Sequence, residues 1–378
     1  MPNVSEINVN QCTGCALCSQ VCPTEAIRMQ YNNEGFLMPQ IDDRCINCGK
    51  CIKICPNRSA FCSSSPMSVL ATTSKDEDLV KNSSSAGVFF QIANAFISLQ
   101  HGYVCGCVMQ DYKVFHVLTN KQDDLVRMQG SKYVQSDVSA CYNEICKLVT
   151  EGTPVLFSGT PCQVAAVRAK CGNADNLYTI DVICHGVTSP IVFREYMEKT
   201  YPNLDLNSFR YKNPYEISTY AFSFANGSRV NGQLDPFYNS FLTGKSLRES
   251  CYSCVYACSE RMGDISLGDC ANYRAYSNLC GRPVSTVIIN TLRGKELWGM
   301  VESQMESVLA DYQVEKMMNH QLSHPVVRTE LRDQFYTDFR TLSKEEFKAK
   351  YAAHWSVKKR LSRFIITHIP YSLRHRFR

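Results

Sequence analysis

Cysteine is the residue type with the most direct chemical meaning in this sequence, which has 378 residues and 21 cysteines. Two segments share one spacing: three cysteines separated by two residues each, then a fourth after three more residues, followed at once by proline. The segments contain Cys12, Cys15, Cys18 and Cys22 before Pro23, and Cys45, Cys48, Cys51 and Cys55 before Pro56. Each segment can wrap three thiolates around one face of an iron–sulfur cluster.

The spacing also predicts how the two segments share their cysteines, because the fourth cysteine of such a segment ligates the other segment's cluster. Gly14 and Gly49 stand between ligands, where a positive φ is useful. Zinc is disfavoured, since zinc ribbons use separated pairs of cysteines. Residues 1–62 are therefore predicted to form a bacterial-type, ferredoxin-like domain with two 4Fe–4S clusters. The first set of ligands is Cys12, Cys15, Cys18 and Cys55, and the second set is Cys45, Cys48, Cys51 and Cys22.

The remaining composition is that of a globular chain, with 44% hydrophobic and 20% charged residues, enough for two or three domains. A net charge of +5 without a nucleic-acid-reading motif predicts no nucleic-acid partner. Residues 1–10 lack the features of a secretory signal, and no apolar run reaches the ~18 residues of a spanning helix. With cysteines clustered as for metal, these features predict a reducing, cytoplasmic location.

The second part of the chain alternates strand-like and helix-like segments, which predicts a mixed α/β or α+β domain over residues 82–325. Residues 63–81, rich in Ser and Thr, are predicted to be a linker or edge element. A hairpin is expected over 103–109 and 114–119, strands over 153–158, 177–183, 265–267 and 286–290, and helices over 88–99, 162–170 and 294–305. The Ser- and Gly-rich residues 82–87 precede the first of these helices. Such a helix start suits a phosphate group, but also an ordinary N-cap on a core helix.

Four further cysteines occupy positions where ligands are often bound. Cys162 and Cys184 follow the carboxyl ends of predicted strands, the edge where open α/β sheets bind ligands. Cys251 and Cys254 form a CxxC pair, which alone is ambiguous between metal, redox dithiol and coincidence. Together the four would make a four-thiolate site. The cysteines without a motif partner are read as core or incidental thiols: Cys62, Cys105, Cys107, Cys141, Cys146, Cys171, Cys270 and Cys280.

Five ordered motifs, at residues 84–88, 130–136, 159–163, 181–186 and 251–269, resemble the beta subunits of coenzyme F-420 hydrogenases and dehydrogenases. The resemblance runs from about residue 82 to 290. It implies a flavin, most simply FAD, and a third 4Fe–4S cluster. The third set of ligands would be Cys162, Cys184, Cys251 and Cys254. The flavin would lie near Ser84, Ser85, Ala86, Gly87, Lys132, Tyr133, Gln135 and Ser136.

The resemblance implies an FAD- and iron–sulfur-dependent oxidoreductase. Electrons from a redox donor protein or reduced carrier would pass through three clusters to FAD and on to a small organic substrate, a deazaflavin or a polysaccharide-pathway intermediate. The family's free-standing members lack a fused ferredoxin domain. This chain could therefore differ from them in electron source and in substrate, which puts the deazaflavin in doubt as the substrate. The alternative is an electron-transfer subunit that serves a partner protein and has no substrate of its own.

Some residues beside the motifs have two interpretations each. His185 is the candidate catalytic residue as a proton donor, against a structural histidine at the sheet edge. Cys258 is either a replacement ligand or a spare thiol. Asp264 and Asp269 flank motif residues and are more often structural.

The C-terminal segment 326–378 is predicted to be a helical, basic tail. Seven Lys or Arg residues and no acid lie between Lys358 and Arg378, interleaved with apolar side chains. This pattern suits either peripheral contact with the inner face of a membrane or a terminal helix docked on the core.

Overall fold

The computed structural model describes residues 3–8, 10–58, 65–212, 219–279, 281–358 and 361. Its strands are β1 (Ile27–Tyr31), β2 (Leu37–Ile41), β3 (Ser68–Ser74), β4 (Tyr103–Gln110), β5 (Lys113–Thr119), β6 (Val155–Gly159), β7 (Leu177–Val182), β8 (Leu206–Lys212), β9 (Thr219–Phe224), β10 (Arg229–Asn231), β11 (Ile265–Asp269), β12 (Ser285–Ile289) and β13 (Met305–Leu309).

The α-helices are α1 (Leu17–Gln20), α2 (Lys50–Lys53), α3 (Glu77–Asn82), α4 (Val88–Gln100), α5 (Leu125–Met128), α6 (Tyr142–Thr150), α7 (Pro161–Cys171), α8 (Pro190–Thr200), α9 (Pro236–Leu242), α10 (Leu292–Gly299), α11 (Tyr312–Met318), α12 (Leu331–Thr341) and α13 (Lys344–Tyr351).

The N-terminal domain consists of the antiparallel hairpin β1–β2 and the two cysteine loops, which lead into the short helices α1 and α2. Gly14 has φ of +67° and Gly49 has φ of +75°, the region that glycine enters without steric cost. The predicted need for a positive φ between the ligands is confirmed at both glycines.

The larger domain is built on an eight-stranded sheet with the order β13-β3-β12-β11-β7-β6-β4-β5. Its central strands β11, β7, β6 and β4 are parallel, and the other pairings are antiparallel. The predicted mixed α/β class is confirmed. The structure corrects two details. Residues 68–74, expected in a linker or edge element, form β3 between two strands, and the helix predicted over 294–305 ends at Gly299.

Helices cover both faces of this sheet. On one face α4 and α10 bury Phe96 and Trp298 against the sheet. On the other face α6 and α7 form a core with Phe157, which also receives Leu17 from α1 of the N-terminal domain. The N-terminal domain is therefore packed into the larger domain through shared apolar side chains.

A second, aromatic core lies beside the large sheet. It joins the small sheet β10-β9-β8 to α8, α9, α12 and α13. Phe335 and Tyr351, in the segment predicted to be a basic tail, are fully buried in this core, so residues 331–351 are docked helices. Most of the basic stretch from 359 to 378 lies outside the described residues. Among the described helices, none is long and apolar enough to cross a membrane.

Candidate functional site

The first set of cysteines comes together in the N-terminal domain. All four of its members line one small cavity. Burial, together with the neighbouring thiols of Cys12 and Cys55, raises the pKa of Cys15 to about 12. Burial also raises the pKa of Cys18, again with contributions from the other three members. Four mutually repelling thiolates in one place need a cation or a cationic cluster core to hold them ionised.

The second set lies beside an exposed surface of the N-terminal domain. Cys22 and Cys51 pack with Val4 and Ile27 in one small apolar group. Ile46, between Cys45 and Cys48, has 64% of its surface exposed. This end of the N-terminal domain is thus open to solvent.

The third set is positioned by the sheet and by one loop. Cys162 is the second residue of α7, whose start is fixed by Pro161 and by a capping box between Thr160 and Gln163. Cys184 follows β7, while Cys251 and Cys254 lie in the loop before β11.

Electrostatic effects link the members of the third set. Burial raises the pKa of Cys184 well above its usual value, and the thiols of Cys251, Cys162 and Cys254 add to the rise. Burial raises the pKa of Cys162, Cys251 and Cys254 to about 11 each. The four sulfurs therefore occupy a shared, desolvated environment.

The third set also adjoins the first set. The pKa of Cys15 is raised mainly by burial, then by the thiols of Cys12 and Cys55. The thiol of Cys162 makes a smaller contribution in the same direction. Cys15, Cys162 and Cys254 pack in the same apolar core. The hydroxyl of Tyr142 donates a 2.8 Å hydrogen bond to the carbonyl of Cys15, which fastens α6 to the ligand loop.

Within the described residues, no three His, Cys, Asp or Glu side chains lie close enough to share a single metal ion. Ligands to a 4Fe–4S cube are spaced more widely than ligands to one ion, because four irons separate them. The donor chemistry of these cysteines fits a cluster, and that assignment belongs to the proposal below.

A cavity of about 630 Å³ opens beside the third set, and we refer to it as the main cavity. Its wall includes Cys184 and most of the residues that the resemblance assigned to flavin. These are Ser84, Ser85, Gly87, Lys132, Tyr133 and Ser136. Two predicted residues lie elsewhere. Ala86 is fully buried, and the side chain of Gln135 faces the N-terminal domain, where its Oε1 accepts from the amide of Leu37 at 3.0 Å.

Lys132 is held at the cavity wall by backbone carbonyls. Its ammonium donates to the carbonyl oxygens of Met128, Gln129 and Gly130 at 3.1, 2.9 and 3.2 Å. Burial lowers the pKa of Lys132. The ammonium of Lys132 thus hydrogen-bonds to the carbonyl groups at the C-terminal end of α5 and places a cationic group at the cavity wall.

His185 has both ring nitrogens occupied. Its Nε2 lies 3.1 Å from the carbonyl of Phe241, and its Nδ1 lies 3.1 Å from Nε2 of Gln321. Because the amide of Gln321 must donate, Nδ1 accepts and Nε2–H donates to Phe241. This arrangement supports the structural interpretation of His185 rather than a proton donor.

His116 is a cavity residue that sequence reasoning missed. It is 3% exposed, its ring stacks on Phe157, and its Nε2 lies 3.1 Å from the carbonyl of Ser158. Its Nδ1 has no hydrogen-bond partner among the described residues. Burial lowers the pKa of His116 to about 4, so the ring is neutral at neutral pH. The unprotonated Nδ1 is an unused acceptor that is itself buried, so a ligand N–H would reach it only if neighbouring atoms moved aside.

Two of the three flanking residues named from the sequence, Asp264 and Cys258, have structural roles. Asp264 is completely buried and forms ion pairs with Arg168 at 3.0 Å and Arg293 at 3.4 Å. The thiol of Cys258 donates to the carbonyl of Glu260 at 3.1 Å, consistent with a thiol that is not a ligand. Asp269 lines the main cavity.

The structure corrects the interpretation of two other cysteines. Cys146 of α6 and Cys171 of α7, read from the sequence as core or incidental thiols, are joined in a disulfide. The two helices pack side by side on the sheet, and the sequence contains no motif that relates these positions.

Comparison with known proteins gives the class of the chain. Residues 11–59 match the 4Fe-4S dicluster domain family. Residues 152–313 match the family that describes the C-terminal part of the coenzyme F420 hydrogenase/dehydrogenase beta subunit. The chain is therefore similar to a 4Fe-4S dicluster domain over residues 11–59 and to the coenzyme F420 hydrogenase/dehydrogenase beta subunit over residues 152–313. The matches indicate an iron–sulfur electron-transfer protein related to that beta subunit, and the resemblance stated from the motifs is confirmed.

A solved structure agrees with this fold. The chain is similar to a chain of the F420-reducing [NiFe] hydrogenase complex from Methanosarcina barkeri, with 14% identity and a TM-score of 0.51. The similarity covers 69% of this chain and 90% of that chain. No curated protein matches the sequence.

Proposed function

We propose that the protein is an iron–sulfur flavoprotein reductase that takes electrons from a redox donor protein or reduced carrier and delivers them to a small organic substrate. One observation carries the proposal: Cys184 of the third set lines the same cavity as the segments assigned to flavin. A cluster held by the third set would therefore adjoin whatever fills the main cavity.

The serine segment suits the phosphate end of FAD. Ser84 and Ser85 precede α4, a helix of 13 residues whose first residues also line the cavity, and a helix N-terminus suits a phosphate group. The hydroxyl of Ser84 accepts a 2.5 Å hydrogen bond from the amide of Ser131, which fixes the two predicted flavin segments against each other. Lys132 adds a positive group to this wall.

Aromatic side chains suit the ring system of the flavin. Tyr133 and Phe241 line the main cavity with their ring centroids 4.4 Å apart. Both belong to the aromatic core or pack against it, so they are rigidly supported. His116 offers the acceptor described above. When bound, clusters would carry single electrons and FAD would pair them for a two-electron reduction.

The arrangement of the cysteine sets implies an order of transfer. The second set lies at the solvent-exposed end, the first set adjoins the third set, and the third set adjoins the cavity. Electrons would enter beside Ile46 and leave at the cavity. For the substrate we retain the two hypotheses from the resemblance, a deazaflavin or a polysaccharide-pathway intermediate.

Anaerobic purification followed by measurement of iron, acid-labile sulfide and extractable flavin tests this proposal. Three 4Fe–4S clusters and one flavin would give about twelve irons and one FAD per chain. About eight irons without flavin would contradict it.

The second candidate is an electron-transfer subunit that hands electrons to a partner protein. The observation that favours it is the match to a family of beta subunits. It predicts that no small molecule is reduced unless the partner is present, and that a cavity-bound flavin, if found, becomes covered on complex formation.

A further inference from the structure

Arg248 lies between the first and third sets, three residues before Cys251. Only 3% of it is exposed. Its Nε donates to the carbonyl of Cys12 at 2.8 Å, and one terminal nitrogen donates to the carbonyl of Leu37 at 3.0 Å. The other terminal nitrogen donates to Oε1 of Gln135 at 3.3 Å. The guanidinium of Arg248 thus connects two segments of the N-terminal domain, the loop at Cys12 and the start of β2 at Leu37, to the larger domain.

The backbone of Arg248 completes the connection to the third set. Its carbonyl accepts from the amide of Cys251 at 2.9 Å, and its own amide donates to the carbonyl of Val187 at 2.9 Å. A single residue therefore hydrogen-bonds to Cys12 of the first set and to Cys251 of the third set.

The charge of Arg248 lacks a carboxylate partner. Among the described residues its guanidinium has only neutral acceptors, and no Asp or Glu oxygen lies within 4.0 Å. Arg332, the other buried arginine at this domain contact, pairs instead with Glu34 and Glu249. A buried cation is costly without an anion, so the negative charge must come from elsewhere.

The cysteine sets are a source of negative charge close to Arg248. The Nε of Arg248 lies 2.8 Å from the carbonyl oxygen of Cys12, and Cys251 is only three residues farther along the chain. Clusters with four thiolates are anionic, and one-electron reduction adds a further negative charge. A fixed cation nearby stabilises the reduced form more than the oxidised form.

We propose that Arg248 is a positioning residue that holds Cys12 against Cys251 and supplies the counter-charge shared by the first and third clusters. This inference rests on the proposed third cluster. It predicts that Arg248 favours reduction of both of these clusters and leaves the cluster of the second set unaffected, because none of the hydrogen bonds that the structure describes joins Arg248 to that set.

The test is a potentiometric titration of the anaerobic holoprotein, followed by low-temperature EPR. In Arg248→Gln, the ratio of reduced to oxidised first and third clusters at a fixed potential should fall about tenfold, equal to about 59 mV for a one-electron couple. Arg248→Lys keeps the charge and should stay within about threefold of wild type. Arg340→Gln is the matched control, since exposed Arg340 also crosses the domain contact, to the carbonyl of Asn33.

Three results separate the claims. Unchanged potentials in Arg248→Gln with full iron content would overturn the role of Arg248. If Arg248→Gln does not fold, Arg248→Lys is the test. A change of more than threefold in its ratio of reduced to oxidised clusters would then overturn the role of Arg248. A wild-type protein with about eight irons would contradict the proposed third cluster, whatever the variants show.

Discussion

Gly14 lies so close to Gln135 that a Cβ atom at residue 14 would overlap the side-chain amide nitrogen of Gln135. The same Cβ would come within 2.6 Å of the carbonyl of Leu37. The ligand loop of the first set is thus pressed against the larger domain at a residue that has no side chain and a φ of +67°.

Gly14→Ala should therefore separate the two domains locally and expose the first cluster. We expect faster loss of iron in air and a lower melting temperature. The matched control is Gly152→Ala, where φ is +80° but no atom lies within 4 Å of the added Cβ. The control should cost only about 1–2 kcal/mol for the left-handed backbone. Equal behaviour of the two variants would refute the close contact as the cause.

The unpartnered Nδ1 of His116 leads to a prediction for flavin. His116→Gln keeps a donor toward the carbonyl of Ser158 but removes the acceptor at Nδ1. Loss of one hydrogen bond of about 1 kcal/mol should weaken flavin binding about fivefold. Fluorescence titration of the flavin-depleted protein measures this, with exposed His320→Gln as the control.

The pH dependence of flavin binding follows from the same histidine. Burial holds the pKa of His116 at about 4, so the imidazole is neutral in both free and bound protein across pH 5.5–8. Flavin affinity should show no transition near the ordinary histidine pKa of about 6.5. A transition there that disappears in His116→Gln would show that the ring titrates in the working range.

Asp264 leads to a prediction for stability. Burial disfavours its charge, but Arg168, Thr291 and Thr179 outweigh that effect and hold the pKa of Asp264 below its usual value. Ionised Asp264 therefore stabilises the folded protein fully above the pKa of an unfolded aspartate, about 3.9. This stabilisation is lost as the pH falls through the lower pKa that Asp264 has in the folded protein.

Asp264→Asn should lower the free energy of unfolding by about 3 kcal/mol at pH 7, because two partly buried arginines lose their partner. The difference from wild type should shrink in acid below pH 4. Denaturant titration measures both effects. Asp78→Asn, at a surface ion pair with Lys81, should change stability by less than about 0.5 kcal/mol.

The sequence predicted the elements whose signals are local. The hairpin of β4 and β5 and the β6–α7–β7 unit were expected from periodicity and turn residues, and they occur within a few residues of the predicted bounds. The two cysteine repeats followed from spacing, whereas the segments assigned to flavin, which line the main cavity, were implied by the resemblance.

Non-local relationships could not be read in this way. β3 pairs with β12 and β13, which follow it by more than two hundred residues, so nothing near residues 68–74 indicates a sheet strand. Nδ1 of His116 is an acceptor because Nε2 carries the proton and donates it to the carbonyl of Ser158. That contact joins residues 42 positions apart in the sequence, so it could not be predicted. Gln135 was assigned to flavin as part of the motif at residues 130–136, but alternate residues of an extended segment point to opposite sides.

Loss of one member of the third set should remove one cluster and leave the other two. Cys162→Ser should lower the iron content from about twelve to about eight per chain. Cys258→Ser is the control, because that thiol bonds to the carbonyl of Glu260, and its iron content should equal that of wild type. An unchanged iron content in Cys162→Ser would exclude Cys162 as a ligand.

The central claim is that the main cavity, the third set and the first set form one electron path. Photoreduction of the bound flavin in anaerobic protein, followed by rapid freezing and EPR, tests it most directly. In wild type and Cys258→Ser, signals of reduced ferredoxin-domain clusters should grow as the flavin is reoxidised. In Cys162→Ser, these signals should grow at least tenfold more slowly while the flavin stays reduced. Equal rates in Cys162→Ser and wild type would contradict the path.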